Sequence, residues 1–315
     1  MNLIFEERSE SELKNQVKKV FNAVIHNEPY VIRTSGTTGT PKKISSDLKK
    51  ALEKKKPGKH NEKWLLTYGP ERWAGISVIL HVIKSKASLY IPKSLEFKEI
   101  IETGIKYQTT HVSMTPSMFR SLMLSDSEQK LDNIPFSQVT FGGEAATQSV
   151  LDLAAKIWPK SRISHVYAST EFGDISAVSD GLEGFPSYKF DKYSFTQDNE
   201  LLVNGLNTGD IWEKKNERYY FVGRKEEIIN VGGNKVSPLK IEEFAISKGA
   251  KFARAFGIKS PIMGSLVGLE YVGDIDEKNL MIEYRKIFSK FECPVSIKRI
   301  DDVVLTNAGK TRRLL

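Results

Sequence analysis

Two hydrophobic periods alternate along the chain and organise its first half. Leu13, Val17, Val20, Phe21, Val24 and Ile25 recur at helical spacing behind Ser9-Glu10-Ser11-Glu12, which has the S-x-x-E form of a capping box. That combination predicts an amphipathic opening helix. Short apolar runs at residues 30–33, 64–68, 87–91, 110–114, 138–141 and 163–167 read as strands. Helix-period segments at 73–84, 95–106, 116–124 and 147–158 separate most of them. Strand and helix in alternation imply right-handed crossovers and an α/β fold with a mainly parallel sheet and flanking helices. After Gly173 the pattern turns to hairpins at 200–203, 210–213 and 217–222. A second unit begins near residue 226, with helices at 238–247 and 276–288 and strands at 252–259, 265–272 and 295–300. It suits a small C-terminal α+β domain, so the expected domains are 1–223 and 224–315.

Composition narrows the function classes. The 315 residues are 40% hydrophobic and 27% charged, which describes a globular chain. Its most apolar stretch, 75–83, is far shorter than the ~20 residues of a spanning helix. No membrane span and no secretory or transit signal is expected, and the lone Cys293 fits a reducing, cytoplasmic setting. The net charge of +8 could serve an anionic ligand, a membrane or nucleic acid. Its densest basic run, 42–59, lacks the interleaved aromatics that stack on single-stranded bases. That run reads as a solvated loop with a short helix, and no nucleic acid partner is expected. The five histidines show no i, i+4 pair, so a zinc site is not expected either.

The chemistry concentrates first in Thr34-Ser35-Gly36-Thr37-Thr38-Gly39-Thr40-Pro41-Lys42, directly after a predicted strand. Small residues let backbone N–H groups converge, hydroxyls add donors and the lysine adds charge, a combination that suits a polyphosphate. The string is not a Walker A loop, because Pro41 precedes Lys42 and no Ser or Thr follows it.

This loop resembles the phosphate loop of the adenylate-forming superfamily, which includes acyl-CoA synthetases, aryl-CoA ligases and adenylation domains. Further signatures follow in the family's order. Gly142-Gly143-Glu144 resembles the adenine-contacting turn. Tyr167-Ala168-Ser169-Thr170-Glu171 is similar to Y-G-x-T-E, with Ala168 replacing the usual glycine. Thr208-Gly209-Asp210 matches T-G-D, Gly223-Arg224 begins the hinge motif, and 306–310 resembles the terminal loop with its lysine.

The resemblance implies an acyl-adenylate formed from ATP and a small carboxylic acid with release of pyrophosphate, then acyl transfer to a thiol. Coenzyme A is the favoured acceptor, and the phosphopantetheine of an acyl carrier protein is the alternative. A partner-dependent or noncatalytic nucleotide-binding module is the rival of a different class. By the same resemblance, Thr34, Ser35, Gly36, Thr37, Thr38, Gly39 and Lys42 would hold phosphates of ATP. Tyr167 would stack on adenine, and Gly142, Gly143 and Glu144 would line that side. Thr170 would bond the α-phosphate, Glu171 would bind Mg2+, and Asp210 with Arg224 would hold the ribose. Lys310 would carry the catalytic charge. Trp73, Gly75, Gly142 and Ser169 would line the acid pocket. Glu226 would be the pivot of the small domain, which would carry Lys310, and Gly232 and Gly233 would approach the pantetheine channel. Plainer roles stay open for several of these: Tyr167 as a core aromatic, Trp73 as the first buried residue of its helix, Gly232-Gly233 as a hairpin turn, and Lys310 as a solvated lysine. Arg72 is expected to be exposed. Family members carry a further subdomain ahead of the phosphate loop, so the resemblance is to a short form. Its acid pocket would be open on one side, or covered by a second copy in a homodimer or by a partner subunit.

Overall fold

A computed structural model describes residues 2–5, 11–33, 43–126, 130–169, 171–303, 305 and 309–311. Among them the chain divides into two compact units, one of residues up to 146, 150–181 and 309–310, the other of 147–149, 182–303, 305 and 311.

The first unit is the expected α/β layer structure. Its strands are β1 (Asn2–Phe5), β2 (Tyr30–Arg33), β3 (Lys43–Ser46), β4 (Lys63–Leu65), β5 (Ser88–Ile91), β6 (His111–Met114), β7 (Gln138–Gly142), β8 (Arg162–Ser169) and β9 (Gly173–Val178). Its helices are α1 (Ser11–His26), α2 (Leu48–Lys54), α3 (Trp73–Ser85), α4 (Phe97–Tyr107), α5 (Pro116–Ser125) and α6 (Gln148–Ile157), the last of which starts in the second unit. The main sheet has the order β1-β5-β4-β6-β7-β8-β9, parallel except for the β8–β9 pair. Alternate residues of the central strands are buried beneath the helices: Leu65, Val112, Met114, Val139 and Phe141 are buried, and Phe119 of α5 packs on Phe141 with ring centroids 5.4 Å apart.

Two expectations need correction. The strand at 30–33 does not join the parallel sheet; it pairs antiparallel with β3 in a separate two-stranded ribbon. The N-terminal residues, which carried no strand expectation, form β1 on the sheet's edge, parallel to β5. Four residues are too few for a period to declare itself, so pairing with β5 decides the conformation.

At the amino ends of the parallel strands lies a polar cluster. Glu62, buried just ahead of β4, accepts from the Trp64 indole at 2.9 Å and lies 3.2 Å from His81 Nε2 and 3.7 Å from His111 Nε2. Burial alone would push the Glu62 carboxyl up, but the Lys59 N–H, the Trp64 indole and the two histidines together hold it below the usual carboxylate range. Burial pushes the His111 imidazole down. All members have partners inside the cluster, and it sits at the opposite strand ends from the site described below.

The second unit contains two antiparallel-based sheets. The first joins β10 (Phe185–Pro186), β11 (Ser194–Phe195), β12 (Glu200–Val203), β13 (Leu206–Lys215) and β14 (Arg218–Arg224) in the order β10-β14-β13-β12-β11 around a core of Phe185, Phe190 and Trp212. The second is built from β15 (Ile229–Val231), β16 (Asn234–Val236), α7 (Pro238–Ser247), β17 (Phe252–Ser260), β18 (Gly264–Val272), α8 (Glu277–Ile287) and β19 (Ser296–Arg299). Here β17 and β18 form a long hairpin, β19 adds parallel to β18, and Tyr271 of β18 and Tyr284 of α8 are fully buried. This is the α+β arrangement that the spacing at 238–300 predicts.

Candidate active site

Open parallel sheets bind ligands beyond the carboxyl ends of their strands. At that edge the first unit brings together residues that the sequence scatters. Strand β6 ends at Met114 and is followed by Thr115, the N-cap of α5, whose Oγ1 accepts from the Met118 N–H at 3.0 Å. The same hydroxyl donates to the carbonyl of Gly309. Next in the sheet, β7 ends at Gly142. Gly143 follows with φ +82°, and a Cβ built on it would lie 3.3 Å from Cε and 3.9 Å from Nζ of Lys310. A side chain there would press on the lysine in a backbone conformation that L residues avoid. Glu144 accepts from the Ser117 N–H at 3.0 Å, so its carboxylate completes the cap of α5. Lys310 therefore packs with the first unit, at the ends of β6 and β7, and not as a solvated tail lysine.

Strand β8 carries Tyr167 and Ser169 to the same edge. Cross-strand pairs share a face and neighbours along a strand alternate. Gly142 pairs with Val166, and Ala168 pairs with Asp174 across a bulge, so these four lie on one face. Tyr167 and its partner Ser176 lie on the other. The Ser169 hydroxyl accepts from the Phe172 N–H at 3.1 Å and closes the turn that presents Glu171. Glu171 is exposed, and no described residue occupies its carboxylate.

Helix α3 opens with Trp73, half-buried, whose indole Nε1 is enclosed without a hydrogen-bond partner. Gly75 has a packing reason of its own: a Cβ there would lie 2.4 Å from the Gly69 carbonyl oxygen. Arg72 is not exposed as expected. Its side chain is 19% accessible, with Nε 3.4 Å from Glu71 Oε1.

In the second unit Asp210 and Arg224 face each other across β13 and β14, with Arg224 Nε 3.3 Å from Asp210 Oδ1. Asp210 is buried, and its backbone N–H donates to Thr208 Oγ1 at 3.2 Å within β13. Glu226 reaches the same guanidinium, 3.6 Å from Nη1. Gly232 and Gly233, with φ +57° and +88°, form the two-residue loop of the β15–β16 hairpin, the conformation that a type I′ turn requires. Residues Thr34, Ser35, Gly36, Thr37, Thr38, Gly39 and Lys42, together with Thr170 and the 306–308 part of the terminal loop, lie outside the described residues.

Sequence reasoning missed Thr115 and the capping role of Glu144. The T-P-S string at 115–117 does signal a helix N-cap. The contact with Gly309, 194 positions away, leaves no local trace.

A model of the AMP-binding enzyme family matches residues 4–188. Among characterised relatives, a 3,4-dihydroxybenzoate–[aryl-carrier protein] ligase of Bacillus anthracis is 28% identical over 37% of this chain and 30% of its own length. The acetyl-coenzyme A synthetase 2 of Candida albicans is 25% identical, covering 90% of this chain and 53% of that protein. Among solved structures, the o-succinylbenzoate coenzyme A synthetase of Bacillus subtilis, in complex with ATP and magnesium ion, superposes with a TM-score of 0.65 at 16% identity, covering 89% of this chain and 68% of that one. The chain thus spans about half, or less, of the length of these two relatives. The mixed, mainly parallel sheet with flanking helices is the fold it shares with the solved ligase. No described helix is long and apolar enough to cross a membrane.

Proposed function

The chain belongs to the AMP-binding enzyme family, and from that premise we propose that it is an ATP-dependent carboxylic acid ligase that forms an acyl-adenylate and passes the acyl group to a thiol. The observation that carries this reading is the position of Lys310, against Gly143 and beside Thr115 at the carboxyl ends of two adjacent parallel strands. A nucleotide-binding module without chemistry has no need of an ammonium docked there.

In this reading the acid's carboxylate attacks the α-phosphorus of ATP, the bond to the β-phosphate breaks and pyrophosphate leaves. Negative charge concentrates around the α-phosphorus as the two anions meet, and Lys310 offsets it from a preset position. Glu171 and the triphosphate would hold Mg2+, which supplies further charge neutralisation when bound. Asp210, positioned beside Arg224, accepts from the ribose hydroxyls. Tyr167 offers its ring to adenine on one face of β8, and the acid lies on the opposite face, toward Gly142 and Trp73. Thr34 to Lys42 and Thr170 bind the phosphates. The pivot near Glu226, with a mobile domain from 224 onward, belongs to the same proposal, as do the approach of the thiol past Gly232 and Gly233 and a cytoplasmic setting.

Coenzyme A is the favoured acceptor because an acetyl-coenzyme A synthetase is a relative that aligns over 90% of this chain. The aryl-carrier-protein ligase keeps a carrier protein as the second reading. The test is carboxylate-dependent exchange of labelled pyrophosphate into ATP, with magnesium, across fatty, aryl, dicarboxylic and amino acids. Exchange with one class of acid is expected. Silence across the panel, with ATP bound, would remove the adenylation reading.

A further inference from the structure

The basic run at 42–59 was expected to be solvated, yet one of its lysines turns inward. Lys55, directly after α2, keeps only 13% of its side chain accessible. Its Nζ donates to Ser77 Oγ at 2.6 Å and to Asp174 Oδ2 at 2.8 Å. These two acceptors come from different elements, α3 and β9. Ser77 follows Trp73 by one turn of α3, on the same face of that helix. Asp174 shares the sheet face of Gly142, Val166 and Ala168, since it is registered opposite Ala168. That face is close-packed at Gly142, where a Cβ would come within 2.9 Å of Val166 Cγ2. The ammonium therefore bridges the helix that begins at Trp73 and the face on which the acid is proposed to lie.

An ammonium has three N–H donors, and an enclosed one costs free energy unless each finds an acceptor. Ser77 and Asp174 take two. The third has none among the described residues. A pocket meant for an alkyl end would be better served by Leu or Met at this position. We infer that Lys55 is a specificity-determining residue of the acid site, an inference that rests on the adenylation reading above. Its third N–H receives an acceptor oxygen at the end of the acid remote from the reacting carboxylate. The substrates are then carboxylic acids that end in a hydroxyl or a second carboxylate, not in a bare alkyl or aryl terminus. Asp174 and Ser77 hold the ammonium in place from β9 and α3.

Two matched pairs of probes test this: benzoate against 3-hydroxybenzoate, and hexanoate against adipate. For each, KM and kcat are taken from pyrophosphate exchange and Kd from calorimetry with the full chain. The polar-ended member of at least one pair should be preferred about 10-fold in KM and Kd, the scale of one hydrogen bond to a charged group. Which pair responds distinguishes a hydroxyl from a carboxylate. Lys55→Met should bring that ratio close to one while kcat for the unsubstituted acid stays within about 3-fold, and Lys55→Arg should retain the preference. No preference in the unaltered protein, or a preference that survives Lys55→Met, would overturn the inference. So would an equal loss for both members of a pair, which marks a purely structural lysine. Silent exchange with a Kd preference that Lys55→Met abolishes would leave Lys55 as the selector and remove adenylation. Exchange that treats both members alike would do the reverse.

Discussion

Lys310→Ala is expected to slow adenylation by about 10² or more while ATP binds within a few-fold of the unaltered protein. The magnitude follows from losing one preorganised positive group where charge concentrates in the transition state, which typically costs 10²–10³ in rate. The selectivity follows from geometry. The lysine packs on Gly143 and its neighbour Gly309 is held by Thr115, whereas the proposed contacts to adenine, ribose and magnesium come from Tyr167, Asp210 and Glu171. Pre-steady-state exchange kinetics with calorimetric ATP binding separates the two effects. A parallel loss of binding and rate would show that the lysine holds ground-state nucleotide. An unchanged rate would mean that its docking serves packing alone.

Gly75→Ala should destabilise the protein by about 3 kcal/mol, at the upper end for overpacking, because the added methyl would meet backbone and not a movable side chain. The Gly69 carbonyl oxygen would lie 2.4 Å away and the Gly69 carbonyl carbon 2.9 Å. Relief requires α3 to shift from the 69–70 turn, and that shift carries Trp73 with it. Chemical unfolding should therefore show a lower midpoint at an unchanged slope, with a raised KM for the acid. A variant of normal stability with only a changed KM would make Gly75 an open pocket position, as its assignment beside Trp73 first implied.

How much was legible in the sequence depends on the range over which each feature is determined. Helices such as α5 and α7 declare themselves through apolar spacing and a proline at the first turn, and the observed 238–247 helix has the bounds that the pattern predicts. The ordered motifs expose the family because each is a local string. What escaped is set by pairing across long separations. Whether 30–33 joins the main sheet or a ribbon depends on which partner it meets, and the strand's own residues allow both. The inward turn of Lys55 depends on Ser77, 22 positions on, and on Asp174, 119 positions on. Arg72 was read as exposed for a different reason: a charged residue ahead of a helix looks solvated, although here its side chain is 19% accessible beside its neighbour Glu71.

The central claim is the chemical one, that ATP is opened between its α- and β-phosphates by a carboxylate. A single-turnover reaction without any thiol, with an acid that supports exchange, tests it directly when the products are identified by mass spectrometry. Acyl-adenylate and pyrophosphate in equal amounts, with no ADP, is the expected result. ADP and phosphate, or intact ATP held beside an acid that never reacts, would contradict the account.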